Sequence, residues 1–283
     1  MDRVSRLGVL LAGLMLALVA AAGEAPRPRI VSLAPNLTEL LFAAGAGDRV
    51  VGASEFSDYP EAARGIERIG DAYRLDYERI LALEPDLAVA WASGTPPDAI
   101  TRLEDLGVEV YSIRTERLVD VASAIEALGA LAGTPAVANE AARRFRADLA
   151  GLESRYGGLA PVRVFIEIDA ELPYTVTGRH LISDVVSLCG GRNIFADLPG
   201  IAPAVDLEAV IARDPQVILS TVGDADPAAR WNRWPGITAV RLGHVRGLPP
   251  DEVSRATPRV LEGTRVACEA IQQSRLDPAL RAR

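Results

Sequence analysis

Two glutamates with matching surroundings are the first residues in this chain whose type and spacing could do chemistry. Glu78 opens the run Glu78-Arg-Ile-Leu-Ala-Leu-Glu-Pro-Asp-Leu, and Glu208 opens Glu208-Ala-Val-Ile-Ala-Arg-Asp-Pro-Gln-Val, 130 positions later. Both runs place apolar residues at i+2 and i+3, Ala at i+4, an acid at i+6 and Pro at i+7. Two like lobes, each offering one carboxylate at the same place, point to a clamshell that docks on a two-fold symmetric partner. Taken singly, each glutamate reads as a first-turn carboxylate favoured by the helix dipole. The repetition raises both above that reading.

A second group could recognise a ligand. Tyr59 lies in the turn Ser57-Asp58-Tyr59-Pro60, and Trp91 closes the apolar run from Leu87 to Ala90 just before Ser93-Gly94. Tyr73 precedes the first Glu helix, and Tyr174 follows Pro173, downstream of a strand around Phe165. Ligands of parallel α/β sheets bind beyond the carboxyl ends of the strands. An aromatic ring there presents a flat apolar face and, for Tyr and Trp, a polar edge; packing between lobes is the alternative. Asp251 and Arg255, four apart in a polar segment, could offer a ligand one acceptor and one donor fork, or simply pair with each other.

Most catalytic chemistry lacks its residues. His180 and His244 stand far apart and read as surface or loop residues, and there is no Cys-x-x-Cys and no His-x-Glu-x-x-His. A zinc site has no support. The chain contains no lysine, so it has neither a P-loop nor a Schiff-base nucleophile. Gly45-Ala-Gly47 followed by Gly52 misses the dinucleotide spacing, and Gly-x-Ser-x-Gly is absent. No cofactor is expected. An exported α/β enzyme would have to work through a perturbed acid among Asp58, Asp71, Glu167 and Asp251; a binding protein is the leading expectation.

The N-terminus reads as an export signal: Arg3 and Arg6, an apolar run from Leu7 to Val19, then small residues to Gly23. The run is shorter than the roughly 20 residues a spanning helix needs, and no Cys near the cut offers a lipid anchor. Removing residues 1–22 leaves 28 Arg against 37 acidic residues. That balance excludes a nucleic-acid footprint and opposes anionic membrane surfaces. A soluble periplasmic protein follows, and nothing demands an obligate oligomer, so a monomer is expected. In that oxidising setting Cys189 and Cys268 point to one disulfide, two buried thiols being the alternative.

These residues need a scaffold. Short apolar strands at 30–33, 50–51, 87–90 and 108–111 alternate with helices at Thr38–Ala44, Asp76–Leu83 and Ile100–Leu106. The pattern resumes with a strand near 163–168, helices at Ser183–Cys189 and Leu207–Ala212, a strand at 217–220 and a last helix at Pro258–Gln273. Between them, Leu118 to Tyr156 is nearly all helix, interrupted by Gly133-Thr134-Pro135, where Thr and Pro read as N-cap and N1. The expected fold is α/β: two Rossmann-like lobes with parallel sheets joined by a single long rigid α-helix. The boundaries fall at residues 23–117, 118–157 and 158–283. A weaker echo supports the duplication: Thr38 to Gly45 and Ser183 to Gly190 each run hydroxyl, acid, apolar stretch, Gly.

The segments Ile30-Val-Ser-Leu-Ala-Pro-Asn-Leu-Thr-Glu-Leu-Leu-Phe-Ala-Ala-Gly, Ser57-Asp-Tyr-Pro, Tyr77-Glu-Arg-Ile-Leu-Ala-Leu-Glu-Pro-Asp-Leu, Ala90-Trp91, Cys189-Gly-Gly-Arg-Asn-Ile-Phe and Arg255-Ala-Thr-Pro-Arg carry a resemblance. Together they resemble the periplasmic vitamin B12-binding proteins, nearly throughout the chain beyond the leader. The resemblance implies a corrinoid captured in an interlobe cleft and passed to the permease dimer of an ABC importer in the inner membrane. It implies that Tyr59, Trp91 and Tyr174 line the cleft, with Tyr73 beside them, Ala34 and Pro35 at the first helix start, and Asp251 and Arg255 opposite. Glu78 and Glu208 become the docking pair, and Cys189 and Cys268 match a paired-cysteine pattern. Two positions depart from the family, Ala72 and Ala202, where its cobalamin binders carry Trp. Cobinamide, another corrinoid, haem and a siderophore therefore stay open as ligands.

Overall fold

The computed structural model describes residues 27–170, 174–223 and 226–281. The export signal lies outside the described residues. The first lobe comprises β1 (Ile30–Ser32), α1 (Pro35–Ala43), β2 (Val50–Ala53), β3 (Glu67–Arg68), α2 (Tyr77–Ala82), β4 (Leu87–Trp91), α3 (Pro97–Asp105) and β5 (Glu109–Ile113). Its sheet runs β3-β2-β1-β4-β5 with every pairing parallel. After α4 (Leu118–Leu131) and α5 (Pro135–Tyr156), the second lobe follows. It comprises β6 (Val162–Glu167), α6 (Leu181–Leu188), β7 (Gly191–Asn193), α7 (Leu207–Arg213), β8 (Val217–Ser220), α8 (Pro227–Trp231) and α9 (Thr238–Arg241), then β9 (Val245–Gly247), α10 (Pro250–Ser254), α11 (Val260–Leu276) and α12 (Pro278–Arg281). Its sheet runs β7-β6-β8-β9, again all parallel.

The inner strands of each sheet are buried on both faces, as is usual for parallel sheets. Ile30, Leu87 and Val89 face one apolar cluster while Val31, Ala88 and Ala90 face another. In the second lobe Val164, Ile166, Val217 and Leu219 face the first of these clusters, and Phe165 and Ile218 a third. One cluster thus spans both lobes. It runs through α4 by Val121, Ile125 and Leu128, through α5 by Ala138, Ala142, Phe145 and Leu149, and into α11 by Ala267 and Ile271.

The expected linker is a helical hairpin whose second arm makes the crossing. α4 packs on α1, and α5 packs along α4 before reaching α6 and α11. With 22 residues, α5 extends about 33 Å. The two arms approach closely because Gly129 lacks a side chain: a Cβ there would lie 2.1 Å from that of Ala138. Thr134 does sit at the N-cap of α5, but its hydroxyl donates to Ala44 O (2.7 Å) rather than accepting a helix N–H.

Other expectations shift in detail. α1 starts at Pro35, not Thr38, because Pro with its fixed φ serves as N1. The segment at 251–255, expected as a loop, is largely a helical turn that Pro250 opens in the same way. β3, β7 and β9 escape the sequence reading, being two or three residues long with Glu-Arg, Gly-Arg-Asn and Val-Arg-Gly in place of an apolar run.

The two halves repeat down to hydrogen bonds. Asp76 and Asp206 hold the N-cap positions of α2 and α7, though only the Asp76 side chain accepts a helix N–H, and Glu78 and Glu208 both take the second helical position. Each helix ends on a non-glycine residue with positive φ, Glu84 (46°) and Asp214 (40°), followed by Pro. Each end is held by an arginine just before or at the start of the lobe's first strand. Arg29 Nε donates to Leu83 O (3.0 Å) and Glu84 O (3.1 Å), and Arg163 Nε donates to Asp214 O (2.9 Å). The N–H of Arg29 donates to Asp86 Oδ2 (2.6 Å), and that of Arg163 to Gln216 Oε1 (2.9 Å). α1 and α6 likewise both run out to a glycine with positive φ, Gly45 and Gly190.

Cys189 at the end of α6 and Cys268 on α11 are bonded, closing a loop of 79 residues. Chain entropy alone gives such a loop roughly 4–5 kcal/mol. Replacing both cysteines by Ala, or reducing the bond, is expected to lower the unfolding free energy by about 2–4 kcal/mol. Urea denaturation with and without reductant checks this; coincident curves would contradict it.

Candidate functional site

A cavity of ≈ 460 Å³ opens between the lobes, at the carboxyl ends of the first-lobe strands. β1 leads into Leu33, Ala34, Pro35 and Asn36 at the start of α1, and β2 into Ser54, Glu55 and Phe56. β4 ends at Trp91, with Gly94 and Thr95 in the turn beyond, and β5 leads to Thr115. Asp71, Ala72 and Tyr73 form another wall. The second lobe contributes His180 and Leu181 at the start of α6, and Ser254, Arg255 and Ala256 after α10.

Trp91 is held by the tight turn behind it. Its N–H donates to Thr95 Oγ1 (2.9 Å), and its carbonyl accepts from the N–H groups of Gly94 (3.0 Å) and Thr95 (2.8 Å). The indole lies on Gly94, where a Cβ would come 2.0 Å from the ring. Trp91 Nε1 and Thr115 Oγ1 are buried without a hydrogen-bond partner among the described residues. At the mouth, Phe56 (73% exposed) and Tyr73 (96%) form an apolar lip. Phe56 projects from a left-handed backbone, φ 64°.

Ion pairs tie the lobes together beside the cavity. Glu39 of α1, buried, accepts from Arg255 Nη1 (3.2 Å), Arg259 Nη2 (2.7 Å) and Arg259 Nε (3.1 Å). That pairing holds the Arg259 guanidinium above its ordinary pKa. Arg255 also reaches Asp58 (3.4 Å) and Asp251 (3.1 Å). At the other side Asp184 of α6 accepts from the N–H of Leu118 (2.9 Å) and from Arg117 Nη2 (3.2 Å), fixing the start of α4.

His180, expected as a surface or loop residue, is the N-cap of α6 and part of the cavity wall. Its Nδ1 accepts from Ile182 N–H (3.1 Å), so Nε2 carries the ring proton. Burial holds the imidazole below its usual pKa. The starts of α1 and α6 both border the cavity, one from each lobe, so two positive helix ends meet there.

Of the residues singled out from sequence, Ala34, Pro35, Tyr73, Trp91 and Arg255 line this cavity. Tyr59 lies in a neighbouring groove of ≈ 360 Å³ with Glu39, Phe42 and Pro258, under the guanidinium of Arg259 (3.9 Å to the ring centroid). Tyr174 pairs with Ala204 in an isolated bridge and is not among the lining residues; Asp251 stays outside too, exposed and paired with Arg255. Of the Trp-for-Ala departures, Ala72 lines the cavity and Ala202 is exposed elsewhere. Phe56 was legible by the same rule that found Trp91, an aromatic just past a strand end. The cavity role of His180 and the interlobe role of Glu39 had no local signal.

Glu78 and Glu208 are both exposed. Glu78 borders a groove with Arg68, Arg74, Arg79 and Arg102 that shares Glu55 with the main cavity. Of the acids an enzyme would need, Glu167 pairs with Arg230 and accepts from Trp231 Nε1 (3.2 Å), and Asp71, on the cavity wall, accepts from the N–H groups of Tyr73 (2.8 Å) and Arg74 (2.9 Å). His244 pairs with Asp277 (2.9 Å). Among the described residues no cluster of three or more His, Cys, Asp or Glu could hold a metal ion, and no helix is long and apolar enough to cross a membrane.

Two parallel-sheet lobes around a largely apolar cavity, bridged by one long helix, define a ligand-capture protein of the substrate-binding type. The chain belongs to the periplasmic binding protein family, whose model matches residues 30–252. It is similar to a vitamin B12-binding protein of Vibrio cholerae, 38% identical over 244 residues, 86% of this chain and 88% of that one. Among solved structures it is similar to the periplasmic vitamin B12 binding protein BtuF of Vibrio cholerae, with TM-score 0.83 and 37% identity over 89% of this chain and 99% of that one. It shares its fold alone with the periplasmic heme-binding protein RhuT from Roseiflexus, TM-score 0.76 at 24% identity, over 88% of this chain and 99% of that one. The family is one of binding proteins, so the enzyme alternative is set aside. Proteins of this type take up a small ligand and work with ABC transporter permeases.

The His180 cap sets a pH dependence. The folded-state pKa lies below the ordinary value of about 6.5. On acidification the unfolded chain takes up the proton first, and the imidazolium cannot accept from Ile182 N–H. This stability is therefore full above about pH 6.5 and is lost as pH falls through the folded pKa. His180→Asn keeps a capping oxygen without the titration. The difference in melting temperature between the two proteins is expected to widen below pH 6.5; parallel curves down to pH 5 would refute it.

Proposed function

We propose that this protein is a periplasmic carrier that captures a corrinoid, vitamin B12 or a close relative, in the interlobe cavity and hands it to an ABC importer. The observation that carries the reading is the cavity itself: Trp91 seated on Gly94 at the end of β4, with Ala34 and Pro35 beside it and the Phe56 and Tyr73 rings at the mouth. A broad, amide-fringed macrocycle suits apolar walls with few polar contacts. The similarity to vitamin B12-binding proteins over most of the chain supports the same ligand class. Ala72 in place of a broad ring leaves more room at one wall, which suits cobinamide and other corrinoids as well as cobalamin.

Titration calorimetry with cyanocobalamin and dicyanocobinamide tests the ligand class directly. Incubation with haem and ferric siderophores, with visible spectra read after desalting, tests its competitors. Trp91→Ala is expected to cost about 1–3 kcal/mol of corrinoid affinity, as for a central aromatic anchor. Unchanged affinity in the calorimeter would remove Trp91 from the binding surface.

Within this reading Glu78 and Glu208 are the docking pair, meeting arginines on the two permease subunits, and the carrier acts as a monomer. Both are exposed, both hold the second position of helices that lead into an inner strand, β4 or β8, and both helices are pinned by equivalent arginine bonds. The pair of substitutions Glu78→Ala and Glu208→Ala is expected to abolish stimulation of the transporter's ATPase while leaving corrinoid affinity intact. Breaking one such charge pair at an interface costs about 2–5 kcal/mol. Full uptake in reconstituted vesicles by the double variant would defeat the assignment.

A further inference from the structure

We propose that His180 is a specificity-determining hydrogen-bond donor of the cavity: its Nε2–H meets an oxygen acceptor on the corrinoid periphery, and His180 does not ligate the ligand's metal. The proposal deepens the corrinoid reading and rests on it.

The argument starts from the cap. Nδ1 of His180 accepts from Ile182 N–H at 3.1 Å, which leaves the ring proton on Nε2. Nε2 has no hydrogen-bond partner among the described residues, and His180 lines the cavity, so the donor is available there. Metal ligation through Nε2 would need its lone pair, and hence a proton on Nδ1, where it would face the Ile182 N–H. The cap would be lost. The backbone is held as well. His180 N–H donates to Thr177 O (3.2 Å), Thr177 Oγ1 donates to Gly200 O (2.9 Å), and His180 O accepts from Ser183 N–H (2.9 Å). The ring therefore presents a fixed tautomer from a fixed position.

The surroundings favour an acceptor on the ligand. Trp91 Nε1 is a further donor, buried and without a partner among the described residues, the starts of α1 and α6 turn positive ends to the same space, and Arg255 lies on the wall. Corrinoids carry amide carbonyls around the ring, and cobalamins carry in addition a phosphodiester in the nucleotide loop. Both are acceptors of the required kind, and a pair of ligands separates them.

The test uses wild-type protein and His180→Asn, which keeps the capping oxygen but is too short to reach the ligand. Thermal unfolding at pH 7 should be nearly the same for both. Calorimetry with cyanocobalamin should show an affinity loss of about tenfold in the variant, the worth of one hydrogen bond. An equal loss with dicyanocobinamide, which lacks the nucleotide loop, assigns the acceptor to a ring amide. A loss confined to cyanocobalamin assigns it to the phosphate. The visible spectrum of bound aquocobalamin should be identical in the two proteins. Equal affinities for both ligands would overturn the hydrogen bond. A spectral shift of aquocobalamin seen with wild type and absent from the variant would overturn it in favour of cobalt ligation. Wild-type protein that binds neither corrinoid would overturn the ligand class and this donor with it.

Discussion

The gap between the lobes is fixed by an apolar core that does not stop at the lobe boundary. Side chains of β1 and β4, of both arms of the α4–α5 hairpin, and of β6, β8 and α11 belong to one buried cluster. Interiors pack at crystal-like density, so relative rotation of the lobes would open voids along this whole strip. A flexible tether would carry no such penalty. The width of the cavity between the lobes is therefore set by the fold itself, and changing it would mean breaking this packing. The nearly all-helical stretch between the lobes already pointed to a rigid join in the sequence, but the reason is packing, not the stiffness of one helix.

Two polar contacts reinforce the same constraint at the cavity. Glu39 is almost wholly buried and held by two arginines from the other lobe, and Asp184 caps α4 across the boundary. A buried ion pair adds little net stability when set against an apolar replacement, yet losing one partner costs about 3–5 kcal/mol because a charge is left buried alone. Such contacts act as registration marks. They penalise any lobe arrangement in which Arg255 and Arg259 leave Glu39, and Arg255 stays on the cavity wall as a consequence.

What was legible in the sequence follows from locality. The Glu repeat, the helix-stop glycines, the paired cysteines and the parallel alternation are short-range patterns, and the structure carries them down to matching φ values at Glu84 and Asp214. Trp91 was legible because strand ends mark ligand sites in this fold class, whereas Ala34 and Pro35 came only from the family resemblance. Tyr59 illustrates the limit. It also follows a strand, but Arg259 arrives from 200 positions away to stack on its ring, and no local signal announces that. His180 shows the converse. A histidine in a connection between strand and helix says nothing about tautomer or direction until the helix it caps is placed against the other lobe. The edge strands β3, β7 and β9 were missed because hydrogen bonding to a neighbour, not composition, makes them strands.

The duplicated halves also separate two jobs. Where they agree, down to the arginine bonds at the helix ends, they present equivalent exposed glutamates. Where they differ, they build the cavity. The first lobe passes from β1 to α1 through Leu33 and Ala34 alone, and Ala34 holds the N-cap position without a side-chain hydrogen bond. The second lobe takes the much longer path from Glu167 to Leu181 and ends it with an imidazole as the cap. One helix start is thus bare and apolar and the other carries a donor, although both derive from the same position of the repeat. A ligand lying between them meets two unlike surfaces, which gives it a single orientation. Within the proposed function, the likeness of the two helices that carry Glu78 and Glu208 suits a two-fold symmetric partner, whereas the unlike connections after the first strands suit a ligand held one way round.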